Sequence, residues 1–308
     1  MKRIVVTGAG PRGFLGYHVR KSFNLAKSDM YNIVYTGSEY NLIKQEDTNK
    51  LFIDLQPDIL IHMAAQCGGI LANKNTPADF LRDNTQMGLN VYEAARQFVC
   101  ERVYTLGSVC AYGKYCTVPF KEDNLFVGYP EETNAPYGQA KRTLLMLGQT
   151  YREQYGIGGA HLIPVNMYGE KDHFDLVNSH VIPALINKFT SGDKVVKCWG
   201  TGTATREFLY AGDAAEAIVQ AVLIDLNTPL PINIGTGEDI SIKDLSFLIA
   251  ELVGFKGKIK FTNEVSDGQP ERKLDVSRAK DMLGFVAKTD LRQGLIKTIK
   301  WYLDNRTS

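Results

Sequence analysis

Over residues 4–16 the chain reads IVVTGAGPRGFLG, a β-branched run that leads into a glycine-rich loop. The run over 4–6 suits a buried parallel strand, and an apolar helical pattern follows the loop. Gly10, Gly13 and Gly16 have the spacing G-x-x-G-x-x-G. Glycines allow a tight turn and let backbone N–H groups approach a pyrophosphate at the start of the helix. The stretch therefore predicts a dinucleotide-binding strand–loop–helix unit.

Strand and helix patterns alternate through the first half of the chain. Strands are expected near 3–7, 32–36, 58–63, 102–107 and 159–165, with helices near 15–26, 46–53, 76–98 and 137–154. The alternation implies a parallel sheet with right-handed crossovers.

The pattern changes after Gly169, where residues 169–212 are rich in loops. Helices are expected near 179–190, 213–224, 241–253, 277–283 and 290–304, with extended pieces near 195–199, 231–235 and 258–261. We therefore predict an α/β fold of the Rossmann type, a doubly wound parallel sheet with a smaller, discontinuous C-terminal domain. The first domain would comprise 1–168 plus about 213–235, and the second about 169–212 plus 236–308.

Composition excludes several classes of protein. The chain has 308 residues, 44% hydrophobic and 22% charged, with a formal net charge of +1. A near-neutral chain of this kind suggests neither nucleic acid nor a membrane as a partner. We expect no signal peptide, and no apolar stretch approaches the ~20 residues of a membrane span, so a cytoplasmic location is expected. The five cysteines have neither disulfide-framework nor zinc spacing, which predicts free thiols and no metal.

The segment Tyr137-Gly138-Gln139-Ala140-Lys141 places a phenol and an ammonium one helical turn apart on the same face. A neighbouring Lys⁺ stabilises a phenolate and lowers the pKa of a Tyr from its usual ~10, so that it can exchange protons with a carbonyl or an alcohol. Ser108 ends the strand-like run 103–106, which would bring it to the same edge of the sheet. A Tyr-x-x-x-Lys pair alone is weak evidence, but the glycine loop accompanies it here.

Together these features resemble the extended short-chain dehydrogenase/reductases. The resemblance implies that Ser108, Tyr137 and Lys141 form the catalytic set. Asn84 matches a family position that supports the site. The implied cofactor contacts are Gly8, Gly10, Arg12, Gly13, Phe14, Leu15, Ser38, Ala64, Ala65, Leu106, Tyr137, Lys141, Pro164, Asn166, Met167 and His180.

The end of the second strand bears on which cofactor is used. An acidic residue there would bind the ribose 2′-OH of NAD and repel the 2′-phosphate of NADP. This chain has Thr36, Gly37 and Ser38 at that point, with Glu39 only beyond them. Arg12, in the glycine loop, could meet a 2′-phosphate; the alternative is that it is merely a surface loop charge. We expect NADP(H).

Longer stretches resemble the GDP-fucose synthases from one end of the chain to the other. These are CGGILAN at 67–73, PADF at 77–80, LGSVC at 106–110, NSHVIPAL at 178–185, WG at 199–200 and REFL at 206–209. That family inverts C3 and C5 of GDP-4-keto-6-deoxy-D-mannose and then reduces C4 with NADPH. The resemblance therefore implies a GDP-sugar substrate, and a homodimer is expected.

Inversion beside a ketone needs proton donors or acceptors on both faces of the sugar ring, because the carbonyl makes the adjacent C–H groups acidic. The resemblance gives these roles to Cys110 and His180. Each also has a structural interpretation, since a Cys after a strand is usually a small core residue and a His before an apolar helix is often a cap. For the nucleotide-sugar the resemblance implies Asn178, Lys188, Trp199, Arg206 and Arg272.

Several positions depart from the family pattern and leave the sugar open. Gly138 stands where Ala is usual, Gln66-Cys67 replaces Lys-Val, and Ala211-Gly212-Asp213 replaces Val-Asp-Asp. A C4 reductase without epimerase activity, or a relative acting on a 3-deoxy sugar or a heptose, would look similar. An NAD-dependent 4-epimerase needs no Cys/His pair, and a non-catalytic nucleotide-binding scaffold needs no Ser/Tyr/Lys set.

Overall fold

The computed structural model describes residues 1–26, 30–175, 179–262 and 268–306. The strands are β1 (Lys2–Thr7), β2 (Tyr31–Tyr35), β3 (Ile59–His62), β4 (Arg102–Leu106), β5 (His161–Pro164), β6 (Asn166–Tyr168), β7 (Val195–Trp199), β8 (Thr205–Tyr210), β9 (Ile232–Ile234), β10 (Asp239–Ser241), β11 (Lys258–Thr262) and β12 (Glu271–Arg272). The helices are α1 (Phe14–Leu25), α2 (Gln45–Leu55), α3 (Ile70–Asn75), α4 (Pro77–Gln97), α5 (Ala135–Tyr155), α6 (Val181–Thr190), α7 (Ala211–Leu223), α8 (Ile242–Leu252), α9 (Ser277–Leu283) and α10 (Leu291–Asn305).

The main sheet is parallel, with strand order β2-β1-β3-β4-β5-β9. The chain moves outward from β1 to β2 and then returns to β3 on the other side, so the order reverses between β1 and β3. In open α/β sheets, ligands bind beyond the carboxyl ends of the strands at such a reversal. The prediction of a doubly wound parallel sheet is confirmed.

Both faces of this sheet are covered, because strand side chains alternate between them. Ile4 and Val6 of β1 contribute to the core beneath α1 and α7. Val5, between them, joins Leu60 in the core beneath α2, α4 and α5. All four side chains are fully buried, which explains why β1 reads as an unbroken apolar run.

A second sheet has β8 at its centre, and β8 pairs with β10, β12 and β6. A two-stranded sheet of β7 and β11 and the helices α6, α8 and α10 pack around a separate core. The chain passes from one sheet to the other at Val165, between β5 and β6. The strand expected over 159–165 is therefore β5 alone, and the sequence did not predict β6, which pairs with β8.

The sequence did not predict α3, β8, β10 or β12. The strands β10 and β12 have three and two residues, and each pairs with β8 from a distant part of the chain, so no local pattern marks them. Leu274, Ala279 and Leu283 pack into the core of the main sheet, although the sequence grouped 236–308 with the second domain. The division into two domains stays a prediction.

Within the described ranges, no helix is both long enough and apolar enough to cross a bilayer.

Candidate active site

The glycine loop crosses the carboxyl ends of β1 and β3. Gly8 has a φ of 73°, and a Cβ there would lie 2.6 Å from the backbone nitrogen of Ala64. A Cβ on Gly13 would lie 2.8 Å from the Gly8 carbonyl oxygen, and one on Gly16 would lie 2.5 Å from Cα of Ala9. Gly8 and Gly13 therefore keep the loop flat against the sheet, and Gly16 lets α1 approach it.

Helix α1 begins at this loop with no side chain capping it and no acidic residue in its first turn. Its first backbone N–H groups and the positive end of its dipole are therefore available to an anion. This arrangement fits the pyrophosphate of a dinucleotide, as the sequence predicted.

The end of β2 lies directly beside the loop. Ala9 N donates to the Thr36 carbonyl at 2.8 Å, and Gly10 and Gly37 are so close that a Cβ on Gly10 would lie 3.0 Å from Cα of Gly37. Glu39 folds back, and its carboxylate accepts a hydrogen bond from Gly37 N at 2.8 Å. Ser38 and Arg12 are exposed at this end of the loop. Glu39 is thus closer to the cofactor region than its position in the sequence suggested.

Ser108, Cys110 and Tyr137 meet at the carboxyl end of β4. Ser108 caps a 3-10 turn over residues 109–111, and its hydroxyl accepts a hydrogen bond from Cys110 N at 3.2 Å. Helix α5 packs on this turn, and Tyr137 lies in the first turn of α5. A Cβ on Gly138 would lie 2.3 Å from the Cys110 carbonyl oxygen. The glycine after Tyr137 therefore makes room for the Cys110 backbone, which accounts for this departure from the family pattern.

Tyr137 has a raised pKa, not the lowered one expected from its spacing to Lys141. Burial is the largest cause of the rise, the thiols Cys67 and Cys110 add to it, and Ser108 opposes it. Lys141 Nζ lies 5.5 Å from the centre of the Tyr137 ring and donates to the Leu106 carbonyl at 2.9 Å. The expectation that Lys141 lowers the pKa of Tyr137 is wrong for this structure, because burial dominates.

Lys141 lies above two buried histidines that sequence reasoning missed. Burial and the Lys141 charge lower the pKa values of His62 and His161 to about 3, so both rings are neutral. Their Nδ1 atoms lie 3.0 Å from Thr7 Oγ1 and 2.7 Å from Thr105 Oγ1. Burial also lowers the pKa of Lys141. No sequence pattern marks these histidines, since each occupies an ordinary strand position.

Cys67, for which the sequence predicts no role, also lies at the site. Asn84 holds its loop, accepting from Gln66 N at 3.0 Å and donating to the Gln66 carbonyl at 3.0 Å. Solvent reaches Cys67, yet desolvation by the surrounding protein raises the pKa of its thiol, while Lys141 and Tyr137 oppose the rise. Asn84 therefore fixes the segment that carries this thiol.

Two titratable residues beyond β6, Asp172 and His180, bear on the candidate site. Burial raises the pKa of Asp172 to about 7. Its Oδ2 has no hydrogen-bond partner among the described residues, and its charge acts on Cys67. His180 precedes α6 and makes no side-chain cap bond there. Solvent reaches its ring, but partial desolvation and His173 lower its pKa. The interpretation of His180 as a helix cap therefore loses support.

The candidate substrate residues fall into two groups, apart from Asn178, which lies outside the described residues. Lys188 Nζ lies 4.8 Å from the centre of the Trp199 ring and donates to the Lys197 carbonyl at 3.0 Å. Arg206 and Arg272 are register partners on β8 and β12, so their side chains leave the same face of that sheet. Arg272 is buried and contacts Cys110, with Nη1 3.5 Å from Sγ.

The remaining candidate cofactor residues lie at the carboxyl ends of neighbouring strands. Ala64 and Ala65 follow β3, Leu106 ends β4, and Pro164 ends β5. Asn166 and Met167 open β6, where the Asn166 amide donates to the Glu207 carbonyl at 2.9 Å. Ala64, Ala65, Leu106 and Pro164 are therefore arranged along one edge of the main sheet.

Known proteins are similar to this chain in sequence and in fold. The model of the NAD dependent epimerase/dehydratase family matches residues 4–235. A Sinorhizobium fredii protein named GDP-L-fucose synthase is 40% identical over 308 residues, which cover 99% of this chain and 96% of that protein. The structure of a GDP-6-OMe-4-keto-L-xylo-heptose reductase from C. jejuni has a TM-score of 0.91 at 26% identity, covering 99% of this chain and 98% of that one. A GDP-L-fucose synthetase from Naegleria fowleri bound to NADP has a TM-score of 0.87 at 26% identity, covering 99% and 93%.

Proposed function

Since this chain belongs to the GDP-L-fucose synthases of the NAD dependent epimerase/dehydratase family, we propose that it is an NADP-dependent GDP-sugar epimerase/reductase. The proposed substrate is GDP-4-keto-6-deoxy-D-mannose, which it would convert to GDP-L-fucose by inverting C3 and C5 and reducing C4. The observation that carries this proposal is the meeting of Ser108, Cys110 and Tyr137 at one strand end, beside the glycine loop.

The residues present fit a dinucleotide. The uncapped start of α1 and the flat loop around Gly8 suit its pyrophosphate. When bound, the cofactor supplies the hydride for C4. Lys141 would hold the nicotinamide ribose, and Arg12 would meet the 2′-phosphate of NADP. The Glu39 carboxylate accepts a hydrogen bond from Gly37 N near the expected position of this phosphate. The attraction of Arg12 for the 2′-phosphate therefore has to exceed the repulsion from that carboxylate.

In the reduction, Tyr137 donates a proton to the C4 oxygen. Its raised pKa keeps the phenol protonated near neutral pH, and this is the form that an acid needs. Ser108 would hydrogen-bond the same oxygen. The proton moves from the Tyr137 hydroxyl to the oxygen while C4 gains the hydride, which leaves an alcohol on the sugar and a phenolate on Tyr137.

In the epimerisation, the Cys110 thiolate takes a proton from the carbon next to the carbonyl. The C–H bond breaks, an S–H bond forms, and the electron pair moves into an enolate whose charge rests on the C4 oxygen. His180 then gives a proton to the opposite face of the carbon, from the imidazolium form that its lowered pKa makes a minor species near neutral pH. Because hydride transfer needs neither residue, the two phases can be separated by experiment.

A second candidate is a C4 reductase that acts on a related sugar, such as a GDP-heptose. The heptose reductase from C. jejuni shares the fold over nearly the full chain and favours this alternative. Cys67 supports it further, because this thiol acts on Tyr137 from a position where the family pattern has Val. An NAD-dependent 4-epimerase is less well supported, because it would leave the Cys110 and His180 pair without a role.

The test is the reaction in D₂O with NADPH and a panel of GDP-4-keto sugars, followed by absorbance at the NADPH band and by NMR of the product. We expect deuterium at C3 and C5. Cys110→Ser should slow its incorporation much more than it slows reduction of an already epimerised ketone, and His180→Asn should impair the same phase. If the parent enzyme reduces its substrate without deuterium at either carbon, the chain is a simple C4 reductase.

The homodimer and the cytoplasmic location are part of the same proposal. Light scattering on the purified chain tests the first, and cell fractionation tests the second. A monomer at working concentration would contradict the expected dimer without affecting the assigned chemistry.

A further inference from the structure

Two thiols flank Tyr137, and the groups around each of them differ. The charges of Cys67 and Cys110 both raise the pKa of the Tyr137 phenol. Cys67 Sγ lies 3.6 Å from the Ala65 carbonyl oxygen, and the charge of Asp172 raises the pKa of the Cys67 thiol. A carbonyl dipole and a carboxylate both oppose negative charge on a neighbouring sulfur. Burial is the largest cause that raises the pKa of the Cys67 thiol, and the Lys141 charge opposes it without reversing it, so the neutral thiol is favoured.

Cys110 instead faces a buried cation. Arg272 is 7% exposed, and its Nη1 lies 3.5 Å from Cys110 Sγ. A guanidinium stays charged at any physiological pH, and a buried charge needs compensating partners. A thiolate on Cys110 would provide one, so the contact favours the ionised form of the sulfur that the epimerisation requires.

Gln269 fixes the orientation of this guanidinium. It is buried, and its amide nitrogen donates to the carbonyls of Gly113 at 3.3 Å and Lys114 at 2.8 Å. Its amide oxygen therefore faces Arg272 and accepts from Nε at 2.9 Å. Because residues 113 and 114 follow the turn that carries Cys110, the guanidinium and the sulfur are tied to the same piece of backbone.

The charge of Arg272 also reaches Glu131. Burial tends to raise the pKa of this carboxyl, but hydrogen bonds from Thr133 and Asn134, with the Arg272 charge, lower it overall. Glu131 is thus a carboxylate near the same cation. Among the described residues, Arg272 contacts the Cys110 sulfur, Glu131 lies near that cation, and the Cys110 charge acts on Tyr137, whose raised pKa keeps it neutral.

We propose that Arg272 is a positioning residue that stabilises the Cys110 thiolate and so selects Cys110, rather than Cys67, as the base of the epimerisation. This inference rests on the proposed function only for the reaction it serves, since the selection between the two thiols exists without substrate. It differs from the role that the sequence suggested, a direct contact to the nucleotide-sugar. Arg206, its register partner on β8, keeps that role.

The first experiment measures alkylation by iodoacetamide from pH 6 to 10, with mass spectrometry of the peptides that carry Cys110 and Cys67. The parent protein should label Cys110 faster than Cys67 at pH 7. Arg272→Met should slow labelling of Cys110 at pH 7 by roughly tenfold, the scale of a lost charge-assisted hydrogen bond, and leave Cys67 unchanged. At pH 10 the labelling rates of Cys110 in the parent and in the variant should converge, because formation of the thiolate then depends less on Arg272.

Matched variants separate charge from folding and access. Arg272→Lys keeps the charge and should retain part of the fast labelling, even if Arg272→Met unfolds the chain. Arg206→Met removes a cation from the same sheet face and should leave Cys110 labelling as in the parent. A slow rate that persists at pH 10 would indicate blocked access, and that result would overturn the proposal.

The second experiment is deuterium incorporation at C3 and C5 by the Arg272 variants. Incorporation should fall in proportion to Cys110 labelling, while reduction of an already epimerised ketone is affected less. Unchanged labelling of Cys110 in folded Arg272→Met, with only weaker GDP-sugar binding, would overturn the inference. If the parent shows the labelling difference but no deuterium incorporation, the proposed epimerase function fails and the selection between thiols stands.

Discussion

Gly138→Ala tests how closely α5 must approach the turn that carries Cys110. A Cβ at this position would lie 2.3 Å from the Cys110 carbonyl oxygen, 3.1 Å from its carbonyl carbon and 3.3 Å from Cα of Ala111. Ordinary contact begins at 3.4 Å, so the helix and the turn have to separate by about 1 Å. All three atoms belong to the backbone, and no side-chain rotation can relieve the contact.

Two effects on stability oppose each other in this variant. Ala is favoured over Gly inside a helix by about 1 kcal/mol, whereas forcing apart well-packed groups costs roughly 1–3 kcal/mol. We expect the free energy of unfolding to fall by only about 1 kcal/mol. The separation moves Ser108 and Cys110 relative to Tyr137, however, and a displacement of ~1 Å in a catalytic group can reduce the rate by about 10²-fold.

The assay compares urea unfolding, NADPH oxidation and deuterium incorporation for the parent, Gly138→Ala and Gln139→Ala. Gln139 is the next residue of the same helix and is exposed, so its replacement by Ala controls for helix propensity. We expect a large loss of rate with a small loss of stability for Gly138→Ala alone. Parental rates in both phases for Gly138→Ala would refute the reasoning, because the close approach would then have no consequence for the site.

Three further predictions concern the acid, the cofactor and a buried carboxyl. Tyr137→Phe should lose about 10²–10⁴-fold in the rate of NADPH oxidation, the range for a positioned acid, with the cofactor still bound; near-parental oxidation would defeat the assignment. The parent should bind NADP more tightly than NAD, and Arg12→Ala should weaken mainly NADP; equal affinities in the parent, measured by fluorescence titration, would count against this. Burial raises the folded-state pKa of Asp172 to about 7, against an unfolded value of 3.8, so stability should fall as pH rises from about 4 to 7. Asp172→Asn should therefore raise the melting temperature more at pH 8 than at pH 4, and an equal change at both would contradict the buried carboxyl.

The parts of the site that the sequence predicted are local ones. The glycine loop joins a strand directly to a helix, and Tyr137 and Lys141 lie one turn apart, so the spacing alone fixes their relative placement. Ser108 follows from its position at the end of an apolar run. These features depend only on neighbours in the chain, and secondary structure is sufficient to place them.

The contacts between distant segments could not be predicted in this way. Arg272 and Cys110 are 162 residues apart in the chain and come into contact only in the folded structure, where β12 pairs with β8. The role of Cys67 at Tyr137, and the two neutral histidines below Lys141, likewise have no signature in the local pattern. Short strands such as β12 carry too few residues for periodicity to mark them.

The sequence by itself determined the α/β class, and it predicted the edge of the sheet where ligands would bind and the three side chains proposed for the reduction. Only the tertiary structure decided the pKa values of the titratable side chains at the site. The spacing of Tyr137 and Lys141 suggested a lowered pKa for the phenol, but the folded chain buries it between two thiols and raises that pKa. Burial depends on every segment that packs around a group, whereas spacing describes only one helix.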